Sequence, residues 1–236
     1  LTQSMHCMPY HEKVWRHKSG KTISHHSREH HMKTMYADPV AKLLTIGDFR
    51  EFLGWLDYRN YDITADHIPE LIRMATDKEL NFGDPESDEV WAPLHAWRAL
   101  AQLKSVEAID PLVNLFHELD DDDWMYEDMP DVFAMIGPPA LPALSVYLSY
   151  EGREIMPRVV AADCISHIGL NHPEQKRVCI QILGRQMEKY RENDPELNGF
   201  LICYLDDLGA EALPVIHAAF EEGMVDETII GPADLT

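Results

Sequence analysis

The 236-residue sequence is short of basic side chains and lacks the motifs of the common enzyme classes. It contains no Gly-x-Ser-x-Gly nucleophile motif, no glycine-rich phosphate loop and no His-Glu-x-x-His zinc motif. Lys and Arg number 20 against 41 Asp and Glu, which gives a net charge of -21. Because phosphate backbones repel such a surface, this balance argues against direct binding to DNA or RNA. The composition favours a non-catalytic protein.

The four cysteines, Cys7, Cys164, Cys179 and Cys203, form no Cys-x-x-Cys pair, and their neighbours are apolar, as around Cys164 and Cys179. Such neighbours predict buried free thiols, which are typical of a reducing compartment. No secretory leader is visible, and the longest uncharged run, residues 132–150, is interrupted by Gly137-Pro138-Pro139. A double proline breaks a helix, so the run predicts two short helices around a turn and no membrane span. We therefore expect a cytoplasmic protein.

One phrase occurs twice, as IGPPALPAL at 136–144 and as LGAEALPVI at 208–216, 72 residues apart. Apolar residues at helical spacing flank both copies, and prolines lie at helix starts, where a missing N–H costs nothing. The phrase therefore predicts the end of one helix and the start of the next. We interpret Gly137, Gly169 and Gly209 as left-handed helix ends.

Helix pairs of this kind can be laid out along most of the chain. The predicted pairs are 88–103 with 107–119, 124–136 with 139–149, 155–168 with 173–192, and 196–208 with 211–222, preceded by a less regular pair at 48–58 and 65–76. Two helices in each unit of about 36 residues are typical of a stacked α-solenoid. The sequence thus predicts an all-α fold, an α-solenoid of about five antiparallel helix pairs, with residues 36–236 as a single domain.

The segment PRVVAADCISHIG at 157–169 resembles the first helix of a HEAT-like repeat of the phycobilisome-lyase type. The residues that carry the resemblance are Arg158, Ala161, Ala162, Ile165, Ile168 and Gly169. IGPPALPALSVYL and LGAEALPVIHAAF resemble the turn and second helix of the same family. The likeness covers about 88–222 and more loosely 36–87, and the helix-start Arg is replaced in other units by Pro93, Tyr126 and Asn198. The resemblance implies a fold and selects no function, because such repeats serve scaffolds, inhibitors, lyases and enzymes alike.

In HEAT-like arrays the second helices line the concave face, so the resemblance places a partner there. The outward positions by helical register are Asp110, Asn114, His117, Ser145, Ser149, His217 and Glu221. This polar, moderately acidic surface suits a basic or polar peptide. The predicted function is a HEAT-like repeat scaffold that binds a protein or peptide partner, without catalysis, cofactor or metal.

Two alternatives remain open. Trp91, His95 and Arg98 share one helical stripe with the composition of a binding hot spot, although the same stripe would suit packing between neighbouring helices. The second alternative is an enzyme hosted on the repeats, either bilin-lyase-like or similar to the metal-dependent deoxyhypusine hydroxylases. A di-iron site of that kind needs several His-Glu dyads, and only His117-Glu118 lies on the repeats.

Two segments differ in composition from the rest. The run ELDDDDWMYED at 118–128 lacks the glycine of a calcium loop, so its aspartates predict a cap for a helix that starts near Trp124. Residues 1–35 contain seven of the 13 histidines and six Lys or Arg against two acids, which leaves a net charge of -25 on the other 201 residues. We interpret residues 1–35 as a basic, flexible or peripheral extension, in which His26 and His30 have the spacing of a metal-chelating pair.

Overall fold

The computed structural model describes residues 36–120 and 122–235, and the predicted extension at 1–35 lies outside them. The described residues form nine helices of seven or more residues and no strand, which confirms the all-α prediction. The nine helices are α1 Ile68–Ala75, α2 Ala92–Gln102, α3 Ile109–Glu118, α4 Asp123–Ile136, α5 Leu141–Ser149, α6 Ile155–Asn171, α7 Lys176–Met187, α8 Pro195–Asp207 and α9 Pro214–Glu221.

The chain forms two compact units, divided within α3 between Leu115 and Phe116. The described part of the first unit is 36–115, with α1, α2 and most of α3. The described part of the second unit is 116–120 and 122–235, with the six remaining helices. The single domain predicted over residues 36–236 stays a prediction.

In the first unit short turns of 3-10 helix outnumber the longer helices. They span Val40–Thr45, Phe49–Glu51, Tyr58–Tyr61, Ala65–His67, Asp88–Trp91 and Val106–Ala108. α1 packs against α2, and the core between them includes Leu71, Met74 and Leu100, all fully buried. This burial of apolar area stabilises the unit by about 25 cal/mol per Å2.

The helix predicted over 48–58 does not form, and that prediction is wrong. Asp48 caps a single turn, because its carboxylate accepts the N–H of Arg50 at 2.9 Å. Phe52 is then extended (φ -110°, ψ 146°), and Gly54 has a φ of +79°. A positive φ is open to glycine at little cost but is incompatible with a right-handed helix. The segment is therefore a loop, although its apolar residues recur at helical spacing.

The second unit follows the predicted helix pairs closely. α4 begins at Asp123 because the Asp122 carboxylate accepts the N–H groups of Trp124 (2.9 Å) and Met125 (3.3 Å), as the capping prediction required. α6 lies at the centre of the unit and packs against α4, α5, α7 and α8. Prolines occupy the first turns of α5, α8 and α9.

The three glycines differ in their backbone conformations. Gly209 has a φ of +64°, which confirms the left-handed end predicted for α8. Gly137 also has a positive φ (+90°), but its ψ of -159° lies outside the left-handed helical region. The prediction is wrong for Gly169, because α6 continues through it to Asn171. A Cβ at Gly169 would lie 2.9 Å from Leu208 Cδ2 and 3.0 Å from Cys179 Cβ. Close approach of neighbouring helices, and not a turn, requires glycine there.

Cys164 and Cys179 are buried free thiols, as predicted, and burial raises the pKa of both, that of Cys179 to about 11. The free-thiol prediction is wrong for Cys203, which is buried and disulfide-bonded. Among the described residues no single helix is long and apolar enough to cross a bilayer. Within residues 36–120 and 122–235, one pair reaches that length and apolarity, α4 together with Pro138–Ser149, and it is bent by 112°.

Candidate binding surface

The loop at 47–58, called the anchor loop below, presents the most exposed large apolar side chain of the described residues. Leu53 is exposed to 108% of its reference area. Phe49, Phe52 and Trp55 are half-buried around it. An apolar side chain that protrudes fully into water can be buried only by meeting another surface, so Leu53 is a candidate contact residue.

His95 on α2 holds both ends of the anchor loop. Its Nε2 lies 2.8 Å from the Gly47 carbonyl oxygen, and its Nδ1 lies 2.7 Å from the Tyr58 hydroxyl. Because a carbonyl oxygen only accepts, Nε2 carries a proton and donates to Gly47, and in the neutral form of the ring Nδ1 accepts from the Tyr58 hydroxyl. His95 is fully buried, so both hydrogen bonds are shielded from water.

Arg98, one turn further along α2, lies between two aromatic rings of the loop. Its guanidinium carbon is 4.4 Å from the Phe49 ring centroid and 4.9 Å from that of Trp55. Arg98 is buried, and cation–π contacts are strongest where water is excluded. This side chain therefore fixes the rings on either side of Leu53.

Trp91 and Gln102 also contact the anchor loop, in addition to His95 and Arg98. The Trp91 ring packs edge-on against Phe49 at 5.6 Å, and Arg50 lies over it at 5.1 Å. The Gln102 amide donates to the Leu56 carbonyl at 2.6 Å and accepts the N–H of Tyr58 at 3.0 Å. The stripe predicted as an alternative partner surface thus faces the anchor loop. Buried His95 and Arg98 position the loop and do not present themselves to a partner.

Charges at the base of the loop are mostly paired within it. Asp48 pairs with Arg50 and Asp57 pairs with Arg59, and these hydrogen bonds lower the pKa of both carboxyls. Glu51 and Asp88 are exposed and carry further negative charge. The carboxylate of Asp88 lies beside Gly47. The apolar tip therefore has a rim that is weakly negative.

The residues predicted for the second-helix surface fall in both compact units. Asp110 and Asn114 are exposed on α3 in the first unit. In the second unit Ser145 is half-buried, whereas the exposed members are His117, Ser149, His217 and Glu221. His117 stacks on Tyr147 at 6.4 Å. Their role in partner binding stays a prediction.

Sequence reasoning missed two sets of surface residues. On α7, Arg177, Gln181 and Arg185 are exposed at four-residue spacing, so this second helix presents a basic face. The spacing itself was the available signal. The other set is the anchor loop, where Asp48 as a cap and Gly54 as a breaker indicated a loop in place of the predicted helix.

Residues 36–120 and 122–235 contain no group of three or more His, Cys, Asp or Glu side chains placed to hold a metal ion. Comparison of the chain with protein-family models, with curated proteins and with solved structures gave no match. The resemblance to HEAT-like repeats therefore stays a prediction.

Proposed function

We propose that this protein is a non-catalytic, HEAT-like repeat scaffold that binds a protein partner, and that Leu53 on the anchor loop is the principal contact. The observation that carries the proposal is a fully exposed Leu53 on a loop fixed by Trp91, His95, Arg98 and Gln102. These contacts hold the loop in one conformation, so that Leu53 is presented to a partner from a fixed position.

The helix packing of the second unit supports the solenoid part of the proposal. The first helices of the predicted pairs, α4, α6 and α8, pack side by side, and the second helices α5 and α7 also meet. Stacked repeats produce these two layers, because each pair buries its apolar face only against its neighbours.

The chemistry of the anchor loop specifies the partner. Leu53 with the half-buried Phe52 and Trp55 requires an apolar pocket, and the negative rim at Glu51 and Asp88 favours basic residues around that pocket. This agrees with a partner that is basic or polar, as the net charge of -21 suggests. An anionic membrane surface would be repelled by the same charges.

Substitution of Leu53 by Asp tests the proposal. Loss of a central apolar anchor costs about 2 kcal/mol or more, so partner affinity should fall by roughly 30-fold or more. Partners captured from the native host by the wild-type protein would be quantified by mass spectrometry, and the affinity of each purified partner would then be measured by calorimetry. The melting temperature of the variant should stay within about 1 °C, because the Leu53 side chain contributes no burial.

Val106→Asp provides the matched control. Val106 is exposed, belongs to the same unit and lies outside the anchor loop. A specific partner should bind this variant as it binds the wild-type protein. Equal binding to the wild-type protein and to Leu53→Asp would overturn the proposal.

A further inference from the structure

Five titratable side chains meet on the helix layer formed by α4, α6 and α8. Their centre is His167 on α6, whose Nδ1 lies 3.1 Å from Asp131 Oδ1 on α4. His167 Nε2 lies 3.5 Å from Asp163 Oδ1, one turn earlier on α6. Tyr204 and Asp207 on α8 lie close enough to act on the pKa of the Asp163 carboxyl, which Tyr204 lowers and Asp207 raises. We call these five residues the histidine cluster.

The cluster follows the repeat of the sequence. Asp131 and Asp163 each stand six residues before a glycine, Gly137 and Gly169 respectively. His167 stands two residues before Gly169, and Asp207 stands two residues before Gly209. Positions six and two before the glycine are four apart and share one helix face, so stacked helices bring them into one row.

The titratable groups on α5 and α7, the other helices packed against α6, contact residues outside the histidine cluster. Tyr147 on α5 packs against Phe116 and lies near Arg153. On α7, Cys179 lies against Gly169 and Lys176 extends towards Gly209. The groups that act on the charge of His167 are Asp131 from α4, Asp163 from α6 and Asp207 from α8.

The contact between His167 and Asp163 requires a shared proton. Nδ1–H of the ring donates to Asp131, which only accepts when ionised. Nε2 then faces Asp163 with a lone pair, unless a proton lies on Nε2 or on the Asp163 carboxyl. Without that proton a ring lone pair opposes a carboxylate, and with it the contact becomes an attractive ion pair at 3.5 Å.

We propose that the histidine cluster is a pH-sensitive clip, in which one proton shared by His167 and Asp163 strengthens the contact of α6 with Asp131 on α4. When this proton is present, Asp131, His167 and Asp163 form an unbroken row of attractive contacts between α4 and α6. When it is lost, repulsion between Nε2 and Asp163 weakens the row at its centre.

The pKa shifts of His167 and Asp163 together determine how the stability of the protein changes with pH. Burial lowers the pKa of His167, but Asp131, Asp163 and Asp207 outweigh it, so the pKa lies above the ordinary 6.5. Burial raises the pKa of Asp163 from 3.8 to about 6. When folding raises a pKa, the stabilisation is fully present below the unfolded value and is lost as pH rises through the folded value. Stability from the cluster should therefore decline as pH rises from about 6 towards 8.

Asp163→Asn is the decisive variant, because an amide N–H can donate permanently to neutral Nε2 without a titrating proton. The melting temperature of the wild-type protein should fall by about 3–6 °C between pH 6.0 and pH 8.5. The fall in Asp163→Asn should be smaller by at least half. His217→Gln, a change at an exposed histidine on α9, should retain the full wild-type fall.

NMR titration of the wild-type ring protons supplies a second measurement, which does not depend on any variant folding. His167 should titrate above pH 6.5, and its pKa should decrease in Asp163→Asn, which lacks one neighbouring negative charge. A His167 that titrates at or below 6.5, or an undiminished fall in melting temperature in folded Asp163→Asn, would overturn the proposal.

Discussion

The anchor loop of the first unit is held by side chains 37 to 48 positions away in the sequence, whereas in the second unit the start of α4 and the end of α8 are held locally. In the first unit His95 and Gln102 satisfy the polar backbone groups of the loop, which lacks a regular hydrogen-bonding pattern of its own. In the second unit Asp122 caps the start of α4, and Gly209 ends α8. Local caps define these two helix ends, whereas the irregular loop is held by side chains of a neighbouring helix.

The first prediction, with the largest expected effect, concerns the scaffold of the loop. His95→Leu keeps a buried side chain of similar size but removes the hydrogen bonds of His95 with the Gly47 carbonyl and the Tyr58 hydroxyl. Removal of one partner from a buried hydrogen bond costs about 1–3 kcal/mol, so the free energy of unfolding should fall by about 2–4 kcal/mol. Urea unfolding followed by tryptophan fluorescence would measure it. A loss below about 0.5 kcal/mol would show that the loop is not held in this way.

The second prediction concerns close packing in the second unit. Gly169→Ala would place a Cβ 2.9 Å from Leu208, so overpacking should destabilise the protein by about 1–3 kcal/mol. Gly184→Ala is the matched control, because it also lies inside a helix and its Cβ would meet only Leu213 at 3.8 Å. Alanine should stabilise α7 there by roughly 0.5–1 kcal/mol. Thermal unfolding of both variants should therefore give opposite signs, and equal signs would contradict the packing argument.

The third prediction has the smallest expected effect and concerns charge. Raising NaCl from 0.1 M to 0.5 M shortens the screening length, so partner affinity should weaken, but by less than in Leu53→Asp. The double variant Asp110→Asn with Glu221→Gln should likewise weaken binding only slightly. The opposite ranking, with binding lost in the double variant and retained in Leu53→Asp, would place the partner on the second helices.

The same contrast explains what could be predicted from the sequence. Helix pairs of the second unit followed from local signals, such as the prolines at helix starts and Asp122 before Trp124. The anchor loop did not, because its conformation depends on contacts with α2 that helical periodicity alone does not reveal. Phe49 and Phe52 fit a helix by spacing. Asp48 and Gly54 interrupt that helix locally, but the shape of the loop depends on its long-range bonds to His95 and Gln102.

The predicted binding residues and the histidine cluster also differ in how far the sequence indicates them. The stripe of Trp91, His95 and Arg98 was recognisable from spacing and composition, but its direction was not, since a stripe that faces a loop and one that faces a partner have the same pattern. Most residues of the histidine cluster lie at fixed distances in the sequence from the repeated glycines, so their spacing was an available signal. It was overlooked because Asp163 and His167 lie within an otherwise apolar helix that resembles a core helix.

The fixed anchor loop has a consequence for the kinetics of complex formation. A flexible loop loses conformational entropy when it docks, whereas the rings around Leu53 are already restrained by Arg98 and Trp91 before any partner arrives. Such pre-organisation should leave the association rate near that of ordinary rigid docking, about 10⁵–10⁷ per molar per second. Loosening the loop at Arg98 should then slow association as well as speed dissociation, whereas trimming Leu53 should act on the lifetime of the complex alone.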